Sequence, residues 1–213
     1  MPFHLLLDVF NWSNFDGLTI GGLLTVSTDD VTINTNDSNL TGAGIDANSF
    51  NLNLDVDSAT ASFSALADEL GTITLSTNSP ADTGAYNFNS GLTAQSITTY
   101  GRGYSLILNG AGTVSTTTTL NNTGGVTLGG GQTFAAGLTS SASTNTVVGN
   151  VNATNSALTL GTTNVTANST LAAGSGKITL GATTLSDSTT LTVGTGGDGE
   201  ISIASVAGSA GGV

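Results

Sequence analysis

Apolar residues in this chain come as short alternating sets separated by polar turns. In one stretch they fall at Leu158, Leu160 and Val165, and in a later one at Ile178, Leu180 and Leu185. A period of two puts alternate side chains on the same side of an extended backbone, so each piece predicts a short strand with one buried face. Leu18 to Asn34 (LTIGGLLTVSTDDVTIN) alternates in the same way. One segment also fits a helix, since Phe63, Leu66, Ala67 and Leu70 have i, i+3, i+4, i+7 spacing. Ala59, Ala61, Phe63 and Ala65 alternate equally well and strands flank them, so Ala59 to Leu70 is read as strand then turn.

The short strands belong to a repeat. Ala157 to Gly176 (ALTLGTTNVTANSTLAAGSG) is followed directly by Lys177 to Gly199 (KITLGATTLSDSTTLTVGTGGDG). Eight of the first 20 positions are identical: Thr159/Thr179, Leu160/Leu180, Gly161/Gly181, Thr163/Thr183, Thr170/Thr190, Leu171/Leu191, Gly174/Gly194 and Gly176/Gly196. A third unit opens at Glu200 and places Ile201 and Ile203 where Ile178 and Leu180 stood. Earlier echoes are GTITLST (Gly71 to Thr77), YSLILNG (Tyr104 to Gly110) and GVTLGGG (Gly125 to Gly131). Such a unit holds two or three strands and cannot close a sheet alone, so it predicts one rung of a stack. The expected fold is all-β: a single-stranded parallel β-helix (β-solenoid) with rungs of about 20–23 residues. About ten rungs at roughly 4.8 Å each give a rod on the order of 50 Å long. Leu, Ile, Val, Ala and Thr are expected inside, with Thr, Ser and Asn outside. A sandwich or barrel would need longer strands joined by hairpins and would impose no likeness between consecutive units.

Composition agrees with this and removes several functions. Gly (30), Thr (38), Ser (24) and Asn (20) make up 53% of the 213 residues, against 8% charged residues and two prolines. Disordered chains are rich in charge and proline and poor in β-branched residues, which is the reverse of this balance. Fourteen acids face only Arg102 and Lys177, for a net charge of −12. That charge excludes binding to nucleic acid and to anionic membrane surfaces. With no cysteine and a single histidine, His4, thiolate metal sites and the usual His-based triads have nothing to work with.

Residues 1–17 form an atypical amino-terminal segment or partial cap, and 18–213 carry the solenoid repeats. Met1 to Phe15 holds four of the eight Phe and Trp residues. Its Leu5-Leu6-Leu7 run is too short to span a membrane, and no cationic leader precedes it. Neither end carries a charged cap. The chain is therefore expected to be a fragment of a longer protein, and open rung edges invite end-to-end self-association.

TLGTTNV (Thr159 to Val165), ITLGATTL (Ile178 to Leu185), LTIGGLLTVSTDDVTIN and GAGTVSTTTTLNNTGGVTLGGG (Gly110 to Gly131) carry a resemblance. Together with the Gly-Thr-Gly and Gly-Ser-Gly turns between such runs, they resemble large bacterial exoproteins of the filamentous-haemagglutinin type and autotransporter passenger repeats. The resemblance implies a right-handed β-helix shaft, secreted to the bacterial cell surface and working in adhesion. Its partners would be host cells, other bacteria, abiotic surfaces or glycans. The Asn-Pro-Asn motif of two-partner secretion domains does not occur in the 213 residues. The function expected is a non-enzymatic shaft segment of a secreted adhesin.

Few residues carry candidate chemistry. Nine acids lie between Asp29 and Asp82. Among them Asp55 and Asp57, at i and i+2 on an expected strand, project to one face about 7 Å apart, where two carboxylates suit Ca²⁺ or acid–base work. The plainer reading of these acids is a solvated acidic face, and no cofactor is expected; calcium is the one alternative they admit. Tyr100, Arg102 and Tyr104 in TYGRGYS suggest a turn that stacks on a sugar, against the plainer reading of a surface turn. Sequons at Asn39, Asn152 and Asn164 are expected by chance in so Asn- and Thr-rich a chain. Alternatives to the shaft are a calcium-binding solenoid, a polysaccharide-binding or polysaccharide-degrading β-helix, and an ice-binding solenoid. Thr72/Thr74 and Thr190/Thr192 fit the last, but their registers do not recur from unit to unit.

Overall fold

Val126 pairs with Leu106 below it and Asn145 above it, every pairing parallel, and this relation repeats along the molecule. The computed structural model describes residues 17–26, 29–76, 79–195, 197 and 199–208, together with the strands Phe3–His4 and Phe10–Asn11. Among the described residues every element is a strand, every pairing is parallel, and the chain coils as a β-solenoid. Thr60–Phe63 is a strand, two bend residues follow, and Ala67–Leu75 is the next strand, so the helical spacing in this region is not used.

Three stacked faces make up the coil. The first holds Val31–Asn34, Leu52–Asp55, Thr118–Leu120, Leu138–Ser140 and Leu158–Leu160, joined by the ends of longer strands such as Ala67–Leu75. On the second face Leu18, Leu40, Ala61, Tyr86, Leu106, Val126, Asn145, Thr163, Thr183 and Val206 are successive partners. That column marks about nine turns, which at ~4.8 Å per turn is a rod on the order of 43 Å long. Coil length runs from 18 residues (Asn145 to Thr163) to 25 (Ala61 to Tyr86), wider than the expected 20–23. The third face carries Gly112–Val114, Gln132–Phe134, Val151–Ala153, Ser169–Ala172 and Leu191–Val193. Phe3–His4 pairs onto it at Leu24 and Thr25, and Phe10–Asn11 pairs onto the first face at Ile33 and Asn34. The rest of the amino-terminal segment (1–2, 5–9 and 12–16) and 209–213 lie outside the described residues.

One continuous core fills the interior, from Ile20 and Leu24 at one end to Ile178 and Leu180 at the other. Three-residue strands bury their first and third side chains and leave the middle one outside, as at Val126, Thr127 and Leu128. Aromatics enter where smaller neighbours leave room. Phe63 and Phe88 stack in consecutive coils with ring centroids 5.6 Å apart, and Gly42 lies against the Phe63 ring. At the last described coil Ile201, Ile203 and Val206 continue the inward columns yet are exposed, because no described residue covers them.

Inward positions of the alternation also take polar side chains, although Asn and Ser were expected outside. Asn145 is fully buried: its Nδ2 donates to the Ser140 carbonyl at 2.9 Å, and its Oδ1 accepts from Ser140 Oγ at 2.5 Å. Buried Gln132 donates from Nε2 to the carbonyl of Leu92, two coils away, at 3.0 Å. Asn145, at the start of its strand, ties back across the corner to Ser140 at the end of the preceding one.

Candidate functional site

The turn that leads from the first face to the second forms a corner, and successive coils stack residues 35–39, 56–59, 79–84 and 99–104 there. Chemistry-bearing residues gather at this corner. Asp37, Asp55, Asp57, Asp82 and Arg102 come from four consecutive coils. The 25-residue coil has its extra length between the strands that end at Leu75 and begin at Ala85.

Asp55 ends its strand and is 2% exposed. Its carboxylate accepts from Asn34 Nδ2 at 3.2 Å and from the Asp57 backbone N–H at 3.3 Å. Asp57 is not on a strand, contrary to expectation. It lies in the following turn with φ 47°, so the two carboxylates are brought together by a left-handed turn and not by strand alternation. Asp82, which pattern reading passes over as one more surface acid, is 1% exposed. One of its oxygens, Oδ2, accepts from the Ser76 hydroxyl, while the buried Oδ1 receives no N–H or O–H. One carboxylate oxygen from each of Asp55, Asp57 and Asp82 lies within 4.8 Å of the others.

Backbone contacts lock this approach. The Asp57 carbonyl accepts from Thr83 N at 3.2 Å and Gly84 N at 3.0 Å. Gly84 has to be glycine, because a Cβ there would stand 1.9 Å from the Ala59 carbonyl oxygen. Burial is the main reason the Asp57 carboxyl is pushed up to about 6, and the charge of Asp55, a proton shared with Asp82 and the charge of Asp37 add to it. Asp37 moves the other way: the Ser58 hydroxyl and N–H, both donating to its Oδ1, hold it below the ordinary value.

Two tyrosines back the cluster from inside. Tyr86 donates to the Leu54 carbonyl at 3.2 Å, and Tyr104 donates to the Leu75 carbonyl at 3.2 Å. Their rings meet edge to face with centroids 5.3 Å apart. Burial pushes both phenols up, Tyr104 to about 12, and nearby carboxylates add to the effect: Asp55 and Asp82 at Tyr86, Asp82 at Tyr104. Full burial removes Tyr104 from the expected sugar-stacking turn. Its hydroxyl instead accepts the Tyr100 N–H at 2.9 Å, leaving Tyr100 and Arg102 half-buried at the surface.

Chemically, three clustered carboxylates can share a proton or surround a hard cation. Of the three, Asp55 and Asp82 are at most 2% exposed, so only Asp57 offers its carboxyl to a bulky substrate; Asp37, on the neighbouring coil of the same corner, is also exposed. Elsewhere on the surface, Thr119, Thr139, Thr159 and Thr179 form an outward file in consecutive coils. Thr72/Thr74 is followed by Ser96/Thr98, and Thr192 pairs with Thr170. Threonine register therefore does recur, contrary to expectation, but in single file. The positions two residues before this file are Thr117, Gly137, Ala157 and Lys177, which give no second rank.

The molecule is thus a β-solenoid with a carboxylate cluster at one corner. No protein-family model matches the chain, and no curated protein or solved structure matches it significantly.

Proposed function

We propose that this chain is a structural shaft segment of a secreted, cell-surface bacterial adhesin. The observation that carries the reading is the unbroken stack of coils around one core, clad in half-exposed Thr, Ser and Asn. A stack of this kind makes length: each coil adds ~4.8 Å of stiff rod through main-chain hydrogen bonds to its neighbours. Few charges and a net −12 keep such a rod soluble and discourage adventitious binding to nucleic acid. Its role is to hold a binding tip away from the cell, and the resemblance to filamentous-haemagglutinin and autotransporter repeats supports the secreted location. The test is to immobilise the chain and challenge it with host cells, bacteria and a glycan array, alongside assays for uronate-polymer cleavage and thermal hysteresis. A pure shaft retains nothing and is silent in both assays. Cleavage of a polymer or a hysteresis gap would overturn the reading.

A further inference from the structure

Two buried carboxylates and a half-buried third, from adjoining coils, need an explanation beyond the fold itself. Buried acids are normally paired with cations or fully hydrogen-bonded, because a bare carboxylate in the interior is costly. With the cluster fully ionised Asp82 is neither: it is 1% exposed, and its Oδ1 has no N–H or O–H donor. Lys177 cannot serve, since it pairs with Glu200 at 2.9 Å several coils away. Arg102 stands at the same corner one coil on from Asp82, yet it supplies no donor to that oxygen.

We propose that Asp55, Asp57 and Asp82 bind one calcium ion, which clips the corner of one coil to the next. The dimensions suit it. At a Ca–O distance of about 2.4 Å, two oxygens on opposite sides of one ion stand about 4.8 Å apart, and calcium tolerates irregular sets of oxygen ligands. All three carboxylate oxygens fall within that same 4.8 Å span of one another. The donor set is wholly oxygen, in a chain with no cysteine and a single histidine, so metals that prefer nitrogen or sulfur have no counterpart here. A divalent ion would leave the three carboxylates with one net negative charge and compensate the buried Asp82 carboxylate, whose Oδ1 has no donor. Half-exposed Asp57 supplies the route of entry and space for water to complete the shell. Position then defines the consequence. Asp55 and Asp57 flank the start of one corner, while Asp82 sits in the long turn of the next, so the ion ties together the longest and least regular coil.

The experiment uses the full chain, dialysed against EDTA and titrated with terbium and then with calcium. Tyr86 and Tyr104 lie close enough to Asp82 to feel its charge and act as sensitisers for terbium luminescence. Expected results are saturable luminescence at one ion per chain, competitive loss on adding calcium, and a thermal midpoint raised by roughly 5–10 °C at about a hundredfold excess over Kd. Asp82→Asn should weaken calcium binding at least tenfold while the β-type circular dichroism is retained. If Asp82→Asn fails to fold, Asp57→Asn at the half-exposed position carries the same comparison. Absence of saturable binding to the wild-type chain overturns the proposal. So does calcium affinity unchanged in Asp57→Asn or Asp82→Asn, because the ion would then sit on other surface acids.

Discussion

Asp57 and Asp82 meet carboxyl to carboxyl across the seam between two coils, close enough to share a proton, although 25 residues separate them in the chain. No strand carries either of them into place. A left-handed residue at Asp57 and the turn at 79–84 do so, and the sharing makes the corner sensitive to pH.

Asp57 takes up its proton at about 6 in the folded chain, against 3.8 for an ordinary Asp. The folded state therefore holds that proton more tightly. Stability from this group is fully present below 3.8 and is lost as pH rises through about 6. Asp30 and Asp37 act in the opposite sense: their depressed values give stability that is present above 3.8 and lost as pH falls below it. The groups facing Asp57 are the carboxyls of Asp37, Asp55 and Asp82, backed by the Tyr86 and Tyr104 hydroxyls, with Arg102 at the same corner beyond Asp82. In EDTA, the thermal midpoint should peak near about pH 4–5 and decline towards neutrality. Melts of Asp57→Asn should lose the decline on the neutral side and keep the fall in acid. Calcium should restore the wild-type midpoint at pH 7 and have little effect below the Asp57 transition.

Gly84 tests the seam from the backbone side. An alanine there drives a methyl to within 1.9 Å of the Ala59 carbonyl oxygen, and the clash is with main chain that cannot rotate away. The 79–84 turn must lift, which breaks the Gly84 and Thr83 hydrogen bonds to the Asp57 carbonyl. Gly84→Ala should cost more than about 2 kcal/mol of stability in denaturant melts. In a variant that still folds, carboxyl NMR should show the Asp57 pKa returning towards that of an ordinary Asp as Asp82 withdraws.

The fold was legible where coil length is constant. Aligning the two clear units pairs Leu158 with Ile178, Leu160 with Leu180 and Val165 with Leu185, and these are register partners in the structure. The same alignment fails on the third face. It pairs Leu171 with Leu191, whereas Leu171 stands against Val193, because the turn around Ser188 (φ 60°) adds two residues before the strand. The upstream echoes were similar as strings but not in place: residues 73–75 of GTITLST lie on the first face, and the strands of YSLILNG and GVTLGGG pair with each other on the second. The carboxylate cluster was half legible for the same reason. Asp55 and Asp57 are neighbours in sequence, but Asp82 joins them only through an irregular corner that no repeat predicts. Periodicity reports which side chains face inward along a strand and says nothing of where a turn folds back.

Tyr104→Phe separates a structural tyrosine from a ligand-stacking one. Its hydroxyl donates to the Leu75 carbonyl and accepts the Tyr100 N–H, so removal leaves a buried carbonyl and an N–H without their partner. The expected cost is about 1–3 kcal/mol in denaturant unfolding. Glycan-array signal, if the chain gives any, should not change, since the ring is fully buried. A selective loss of glycan signal with unchanged stability would assign Tyr104 a ligand role.

Phe134 asks whether the rod behaves as a one-dimensional stack. Its ring is fully buried on the third face, between Val114 in the coil below and Ala153 in the coil above. Replacing it with alanine opens a cavity between two small neighbours that cannot expand to fill it, at a cost of about 3–5 kcal/mol. In a globular domain with one cooperative core that loss is felt everywhere. In a solenoid each coil touches chiefly the coils above and below, so the loss stays near the lesion. Amide exchange in Phe134→Ala should therefore accelerate in the coils carrying Val114, Phe134 and Ala153. Protection around Leu52–Asp55, several coils away, should remain close to wild type. A uniform rise in exchange from Leu18 to Leu180 would show that the stack unfolds as a single unit, and a rigid spacer assembled from semi-independent coils would then be the wrong physical picture.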